Sequence, residues 1–266
     1  MATVSPIEPE ADEMAATPVL QTRGLSKSFG GVDAVLDVDL AVREHEVRAL
    51  IGPNGAGKST FTGLVVGRFE PTRGGVWFDG RDISTLPAHE RIRLGIAYTF
   101  QITSVFAELS VHENVALAVR RAVASLNLGR RGRHRAIRQR VADALMRVGL
   151  DTRSDAIAGD LAYGHQRLLE IAMGLAQAPR LFIMDEPTQG LALDEIERFI
   201  ALIKQLSTTT TILLIEHNMP VVMRCADRIS VLESGRLLAE GTPDEIQADA
   251  AVQAAYLGRD LPESDP

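Results

Sequence analysis

The amino-acid sequence predicts an α/β fold with a mainly parallel sheet core. Short apolar runs alternate with helical patterns, an order that is typical of strands connected by helices. One run leads into a glycine-rich loop at residues 52–57, and another ends in the adjacent acids Asp185 and Glu186. Because ligands bind at the carboxyl ends of parallel strands, both features are expected at one edge of the sheet.

The composition fits one large globular domain and argues against nucleic-acid binding, membrane spanning and secretion. The chain has 266 residues, of which 45% are hydrophobic, and its net charge of −7 argues against a nucleic-acid partner. No apolar run approaches the ~20 residues that cross a bilayer. The N-terminus lacks the pattern of a signal peptide, so a cytosolic location is expected. The single cysteine, Cys225, excludes an intrachain disulfide and is expected to be a buried structural thiol.

The predicted strands are short apolar or alternating runs bounded by turn residues. They lie at Val47–Ile51, 96–100, 181–184 and Thr211–Ile215, with shorter ones at 76–78, 229–232 and 236–239. Residues 234–235, Ser-Gly, predict a tight hairpin turn. A two-residue alternation near both ends of the chain indicates an antiparallel edge on the parallel core. Thr242, Pro243 and Glu245 have the pattern of a helix start, and this helix is expected to run to about Tyr256.

A helical segment is predicted between two core strands. Ile137, Val141, Leu145 and Val148 recur at helical spacing, and no strand pattern interrupts residues 102–160. Residues 120–140 contain eight arginines and no acid. A solvated loop and helix face is the default interpretation, and contact with anionic lipid headgroups or an acidic partner is the alternative.

The loop at residues 52–59 fits the phosphate-binding pattern G-x-x-x-x-G-K-[ST]. Its glycines allow successive backbone N–H groups to point at phosphate oxygens, and the following helix adds its positive dipole end. Lys58 is expected to reach the β- and γ-phosphates, and the Ser59 hydroxyl is expected to bind Mg²⁺. The sequence therefore predicts a nucleotide site here.

The apolar run that ends in Asp185 and Glu186 supplies a second part of this site. A buried strand carries acids only where it ends, because desolvated charges are costly. Asp185 suits Mg²⁺, and Glu186 is placed to polarise the water that attacks the γ-phosphate. A strand end followed by a polar turn is the alternative for this run alone.

A phosphate loop by itself is compatible with kinases, GTPases, helicases and transport ATPases. The guanine-binding pattern N-K-x-D is absent. Residues 161–167, Leu-Ala-Tyr-Gly-His-Gln-Arg, precede an amphipathic helical pattern, so a second glycine lies at a helix start. An ordinary helix cap is the alternative for this segment alone.

Together these residues resemble the ATP-binding subunit of an ABC transporter, over about residues 19–258. The resemblance rests on Phe29, on residues 52–60 (Walker A), Gln101 (Q-loop), 161–165 (signature) and 181–186 (Walker B), and on Glu216 with His217. The implied fold is a P-loop NTPase of the ABC ATPase type with a mainly parallel sheet core, an antiparallel β edge and an inserted helical subdomain at about 102–178. An acidic disordered leader at 1–18 and an acidic tail at 259–266 are expected to flank this domain.

The resemblance implies a role for each matching residue. The implied ATP-binding residues are Phe29, Gly52, Pro53, Asn54, Gly55, Ala56, Gly57, Lys58, Ser59 and Thr60. The implied catalytic residues are Glu186, His217 and Gln101, and those implied for Mg²⁺ are Ser59, Gln101 and Asp185. The signature residues Leu161, Ala162, Tyr163, Gly164 and His165 would act on the ATP of a second subunit.

The same resemblance implies partners and a location. They are a second, homologous but non-identical ATP-binding subunit, two transmembrane permeases and, indirectly, a solute-binding protein, at the cytoplasmic face of the membrane. Details such as Leu-Ala-Tyr-Gly at 161–164 are similar to the branched-chain amino-acid importer type, in particular the larger of its two ATPase subunits. An importer for urea or amides and a soluble non-transport ABC ATPase remain alternatives. Ala162, His165, Tyr98 and Ala192 depart from the usual family pattern.

Overall fold

The computed structural model describes residues 17–99, 104–124, 126 and 128–257. The strands are β1 (Leu20–Phe29), β2 (Val32–Val42), β3 (Val47–Ile51), β4 (Arg73–Phe78), β5 (Arg81–Asp82), β6 (Ile96–Thr99), β7 (Leu181–Asp185), β8 (Thr211–Ile215), β9 (Arg228–Glu233) and β10 (Arg236–Gly241). The helices are α1 (Lys58–Val65), α2 (Ala88–Leu94), α3 (Val111–Ala124), α4 (Arg130–Val148), α5 (Tyr163–Leu175), α6 (Leu193–Ser207), α7 (Met219–Cys225), α8 (Pro243–Ala248) and α9 (Ala250–Leu257). The predicted leader, except for residues 17 and 18, and the predicted tail at 259–266 lie outside these described residues.

The larger sheet confirms the predicted α/β class. Its strand order is β10-β9-β3-β8-β7-β6, and all neighbours pair in parallel except β9 and β10. The antiparallel β10 is therefore the predicted edge. Ser234 and Gly235 join β9 to β10 with φ of 48° and 78°, the two positive values that a tight type I′ hairpin turn requires.

The N-terminal strands differ from the prediction. They do not extend the parallel core but form a separate antiparallel sheet in the order β2-β1-β4-β5. Apolar residues of this sheet, such as Val38, share one buried cluster with Phe61 of α1 and Ile183 of β7. The second sheet thus covers α1 and one face of the core, which is why its strands alternate while the core strands do not.

The core strands are buried on both faces. Every residue of β3, β7 and β8 is buried, which explains their continuous apolar sequences. Successive residues of β7 point to opposite sides: Phe182 packs with α5 and α6, whereas Ile183 packs with α1. The ends of these strands are consequently fixed between two packed layers.

The helical segment is confirmed where the structure describes it. Val141, Leu145 and Val148 of α4 are buried against Val115 and Val119 of α3, and Ile137 packs partly against the same cluster. The predicted limits of this segment, about 102–178, are not tested beyond the finding that α3, α4 and α5 all fall within them.

The C-terminal helix prediction is wrong in one respect. The capping pattern is present, since Thr242 and Glu245 exchange backbone–side-chain hydrogen bonds, but α8 ends at Ala248 and α9 begins at Ala250. Asp249 lies between them with ψ of 118°, and its carboxylate accepts from the amides of Ala251 and Val252. An aspartate that caps a new helix start breaks the helical run.

Cys225 is buried as expected, at the end of α7. Burial raises the pKa of its thiol to about 11, so the thiolate that reacts in redox chemistry is disfavoured.

Candidate active site

The loop between β3 and α1 has a backbone that its glycines permit. Gly52, Gly55 and Gly57 have φ of 151°, 79° and 101°, which side-chain-bearing residues rarely adopt. Added Cβ atoms would overlap the carbonyl oxygen of Leu232 at Gly52 and that of Ala34 at Gly57. Conformation favours glycine at all three positions, and space also requires it at Gly52 and Gly57. The loop therefore has the curled backbone that the predicted phosphate cradle needs.

Lys58 is the first residue of α1 and lies almost buried beneath this loop. Its Nζ donates to the carbonyl oxygens of Gly52 at 2.6 Å and Pro53 at 3.1 Å. Burial lowers the pKa of Lys58, and the nearby carboxylates of Glu186 and Asp185 partly oppose that shift. The predicted phosphate loop and the predicted carboxylates thus lie within electrostatic reach of each other. Ser59, next along α1, is exposed on its first turn.

Asp185 is the last residue of β7 and is buried. The hydroxyl of Tyr98, on the neighbouring β6, donates to its Oδ2 at 2.9 Å. Burial raises the pKa of Asp185, while the Tyr98 hydrogen bond lowers it in part. Tyr98, which departs from the family pattern, therefore contacts the predicted metal ligand directly.

These residues fit Mg²⁺ bound together with nucleotide phosphates. No group of three His, Cys, Asp or Glu side chains forms a metal site by itself among the described residues. Mg²⁺ in such sites is held by one or two carboxylates, hydroxyls and waters, with the phosphates completing its shell. One strand-end carboxylate, Asp185, and the exposed hydroxyl of Ser59 match that requirement.

Glu186 and His217 lie at the ends of the adjacent strands β7 and β8. Glu186 Oε1 is 3.5 Å from His217 Nδ1, and the Glu186 amide donates to the carbonyl of Ile215 at 2.8 Å. Glu186 has φ of 46°, a left-handed value that costs a non-glycine residue about 1–3 kcal/mol. A strained conformation of this kind persists only where surrounding contacts stabilise it. The left-handed backbone of Glu186 therefore depends on the groups packed around it.

Glu216 connects the turns that carry Glu186 and His217, and its role is not predicted by the sequence. It is fully buried, and its carboxylate accepts from the amide and hydroxyl of Thr188, from the amide of His217 at 2.9 Å and from that of Asn218 at 3.1 Å. This carboxylate joins the turn after β7 to the turn after β8. An acid that directly follows a buried strand was the available sequence signal.

Arg167, in the signature helix α5, is a second group that sequence reasoning missed. Its Nη2 donates to the carbonyl oxygens of Asp185 at 2.8 Å and Glu186 at 3.0 Å, and its Nε donates to that of Pro187 at 3.3 Å. Its Nη1 also pairs with Glu170 at 2.6 Å. A fully buried guanidinium thus fixes the two peptide groups on either side of the strained Glu186.

The Glu170 carboxylate extends this arrangement toward the predicted Q-loop. Its other oxygen accepts from the backbone amide of Ser104. Gln101 itself, predicted for catalysis and Mg²⁺, lies outside the described residues. Burial raises the pKa of Glu170, and Arg167 and the Ser104 amide oppose that shift.

The signature residues 161–165 lie at the start of α5, away from the phosphate loop. No hydrogen bond, ion pair or ring contact in the described part of the chain joins the two segments. Tyr163 is 43% exposed. A Cβ at Gly164 would meet the Glu195 carboxylate of α6, the end of a flexible side chain, so Gly164 lies directly against α6.

Phe29, at the end of β1, is 43% exposed. Its ring packs edge-to-face on Phe69 with centroids 5.4 Å apart, and Lys27 Nζ lies 5.1 Å from its centroid. An exposed aromatic ring held by a second aromatic is available for stacking on a base.

A phosphate loop and two strand-end carboxylates at one sheet edge define the class of P-loop nucleotide hydrolases. The ABC transporter family matches residues 35–189, and the family described as branched-chain amino acid ATP-binding cassette transporter matches residues 236–261. The chain belongs to the ABC transporter family, in the group of branched-chain amino acid transport ATP-binding proteins.

Similar proteins cover nearly the whole chain. The high-affinity branched-chain amino acid transport ATP-binding protein BraF of Pseudomonas aeruginosa is 40% identical over 91% of this chain and 98% of its own length. LivG of Salmonella typhimurium, which has the same description, is 41% identical over the same shares. The crystal structure of the ADP conformation of MJ1267, an ATP-binding cassette of an ABC transporter, is 26% identical, with a TM-score of 0.80, over 92% of this chain and 100% of that chain.

Proposed function

We propose that this protein is the ATP-binding and ATP-hydrolysing subunit of an importer for branched-chain amino acids. The observation that carries the proposal is the meeting of Lys58, Asp185 and Glu186 at one sheet edge. This site occurs in a chain that is 40–41% identical to branched-chain amino acid transport ATP-binding proteins. The descriptions of the relatives indicate the transported solute, and the residues of the site indicate the reaction.

The proposed reaction is in-line attack of water on the γ-phosphate of ATP. Backbone N–H groups of residues 52–57 and the ammonium of Lys58 bind the phosphates, and Phe29 stacks on the base. Ser59 and Asp185 would hold Mg²⁺, which would supply positive charge beside the phosphate oxygens. Glu186 accepts a proton from the attacking water, and His217, 3.5 Å from it, contacts the γ-phosphate.

A complete site in this proposal includes a second ATP-binding subunit. Among the described residues, no hydrogen bond, ion pair or ring contact joins the signature segment at 161–165 to its own phosphate loop, and Tyr163, the first residue of α5, is 43% exposed. Leu193, at the start of α6, is 83% exposed. Such high exposure is unusual for a large apolar side chain. These exposed groups support a head-to-tail pair in which each signature closes over the partner's ATP.

A permease contact is supported by a groove between α2 and β6. The groove has a volume of about 290 Å³, and its lining includes Ile92, Ile96 and Tyr98. Ile92 is 47% exposed, and Tyr98 precedes the segment that holds Gln101. No helix within the described ranges is long and apolar enough to span a bilayer. We infer that two permeases hold the protein at the cytoplasmic face of the membrane.

The test is phosphate release and solute uptake in reconstituted liposomes. The chain alone is expected to bind Mg²⁺–ATP and hydrolyse it slowly. Adding a second ATP-binding subunit and both permeases is expected to raise turnover, and loaded binding protein is expected to raise it further. Uptake of leucine, isoleucine and valine, measured beside urea and an amide, tests the solute. Equal hydrolysis with and without the permeases would contradict the transport function.

A further inference from the structure

A cationic cleft lies between α3 and α4, in a part of the protein that the ATP site does not use. Its volume is about 790 Å³. Within the described residues its lining carries four arginines, two histidines and no acidic side chain. The lining consists of His112, Ala116, Arg120, Val123 and Ala124 from α3, and Arg130, Arg133, His134, Ile137 and Arg138 from α4.

The positions of these residues follow from helical geometry. On α4, positions 130, 133, 134, 137 and 138 share one face, because residues three and four apart are neighbours on a helix. The buried Val123 and the half-buried Ile137 form an apolar floor between the helices. The arginines therefore surround an apolar base and are not spread evenly around the helix.

Within the described residues, the cleft arginines lack the carboxylate partners that some other exposed arginines of this protein have. Arg180, Arg198 and Arg224 are about as exposed, yet each pairs with an acid. No ion pair in the described part of the chain involves Arg120, Arg130, Arg133 or Arg138; Arg133 donates only to the carbonyl oxygen of Leu128.

The nearest acids on the two helices are engaged elsewhere. The carboxylate of Glu113 accepts from the amide and hydroxyl of Ser110, and that of Asp143 accepts from Gln139. The chain as a whole carries a net charge of −7, so acidic residues are plentiful but are kept out of this cleft. Like charges that face each other across a concave surface repel, and a bound anion relieves that repulsion.

We propose that the cleft between α3 and α4 binds an anion that carries phosphate groups. Guanidinium groups pair with phosphate oxygens through two parallel hydrogen bonds, and arginine keeps its charge at any physiological pH. The apolar floor suits the carbon backbone of a phosphate ester. Anionic phospholipid headgroups and soluble oligophosphates share this chemistry, and they are separated by experiment. The proposal is independent of ATP hydrolysis and of the transported solute.

The test compares two double variants of the full-length chain. Arg133→Ala with Arg138→Ala removes two arginines from the cleft. Arg131→Ala with Arg135→Ala removes the same charge from the same helix at positions that do not line the cleft. Alanine is the best helix former, so both variants are expected to keep α4, and circular dichroism checks this.

The first arm measures co-sedimentation with phosphatidylglycerol vesicles and with phosphatidylcholine vesicles. The second arm measures binding of inorganic triphosphate by calorimetry, with Lys58→Ala present in every chain to suppress the phosphate loop. The cleft variant is expected to bind about 25-fold more weakly in one arm, since each basic side chain contributes about fivefold at an anionic surface. The control variant is expected to retain most of the binding.

The arm in which the cleft variant loses binding shows whether the ligand is a phospholipid headgroup or a soluble oligophosphate. Equal losses in the two variants would show that binding depends on general surface charge, and this would overturn the proposal. Unchanged binding of the cleft variant in both arms, or no binding of either probe by the parent chain, would overturn it as well.

Discussion

Arg167 holds Glu186 through its main chain: Nη2 of the buried guanidinium donates to the Glu186 carbonyl oxygen at 3.0 Å. The same nitrogen donates to the preceding carbonyl, that of Asp185, at 2.8 Å. These bonds lie on either side of the residue whose φ is 46°. The helix that carries the signature is thereby tied to the backbone that positions the proposed base.

Arg167→Lys is expected to slow ATP hydrolysis about ten- to a hundredfold with little change in ATP affinity. Lysine keeps the charge beside Glu170, but a point charge cannot donate to several carbonyls in a fixed plane. A small displacement of Glu186 is costly because catalysis depends on its alignment. Single-turnover phosphate release and calorimetric titration of ATP measure the two quantities.

The matched control for that prediction is Arg48→Lys. Arg48 is also a buried arginine, paired with Glu46 and bonded to the carbonyl of Ala41, but it lies at the start of β3. Its variant is expected to unfold at a lower temperature and to keep the turnover rate. In a Glu186→Gln background, Arg167→Lys is expected to have no further effect on hydrolysis, and additive losses would contradict a role through Glu186.

Glu186→Gln is expected to leave ATP binding intact and to lower turnover about 10²–10⁴-fold, the usual contribution of a positioned general base. The amide keeps the size and the hydrogen-bonding oxygen of the side chain but accepts no proton. An ATP-bound dimer is expected to accumulate, which size-exclusion chromatography with Mg²⁺–ATP detects. Turnover at the parental rate would remove Glu186 from the mechanism.

Asp185→Asn is expected to stabilise the fold by a few degrees at pH 7 without Mg²⁺, while it weakens Mg²⁺-dependent ATP binding. Burial raises the pKa of Asp185 in the folded state, so this carboxyl lowers stability progressively as the pH rises from its ordinary pKa to its folded-state pKa, and the full cost remains at higher pH. Below the ordinary value of 3.8, the carboxyl is neutral in both states and the advantage of asparagine disappears.

Thermal unfolding from pH 3 to pH 8 measures this dependence on Asp185. Asp155→Asn, which removes an exposed carboxylate, is the control and is expected to shift the midpoint little at any pH. A lower midpoint for Asp185→Asn at pH 7 would show that its attraction to Lys58 outweighs the cost of burial.

Phe29→Ala is expected to weaken ATP binding by about 1–3 kcal/mol, the scale of stacking between a base and an aromatic ring. GTP is expected to lose a similar amount, because stacking does not distinguish base edges. Phe106, another exposed aromatic, provides a matched control as Phe106→Ala. Equal affinities for Phe29→Ala and the parent chain would assign Phe29 a packing role only.

Part of this protein could be predicted from the sequence because the determinants are local. The order of glycines and Lys58 in the phosphate loop, the acids that end β7 and the Ser-Gly hairpin turn all depend on neighbours a few residues apart. The parallel core could be predicted for the same reason, since strands that are covered on both faces are continuously apolar. Family resemblance assigned roles to these positions, including Phe29 and His217.

The tertiary structure alone decided which distant groups support that site. Thr188 and Glu216 are 28 residues apart, and Arg167 and Asp185 are 18 apart. Both contacts depend on how β7, β8 and α5 pack, and no periodicity in the sequence encodes them. The separate N-terminal sheet and the cationic cleft have the same origin. A buried charge is stable only when hydrogen-bonding partners surround it. For Glu216 and Arg167 those partners come from distant segments, so only the packing of the fold shows what these two residues do.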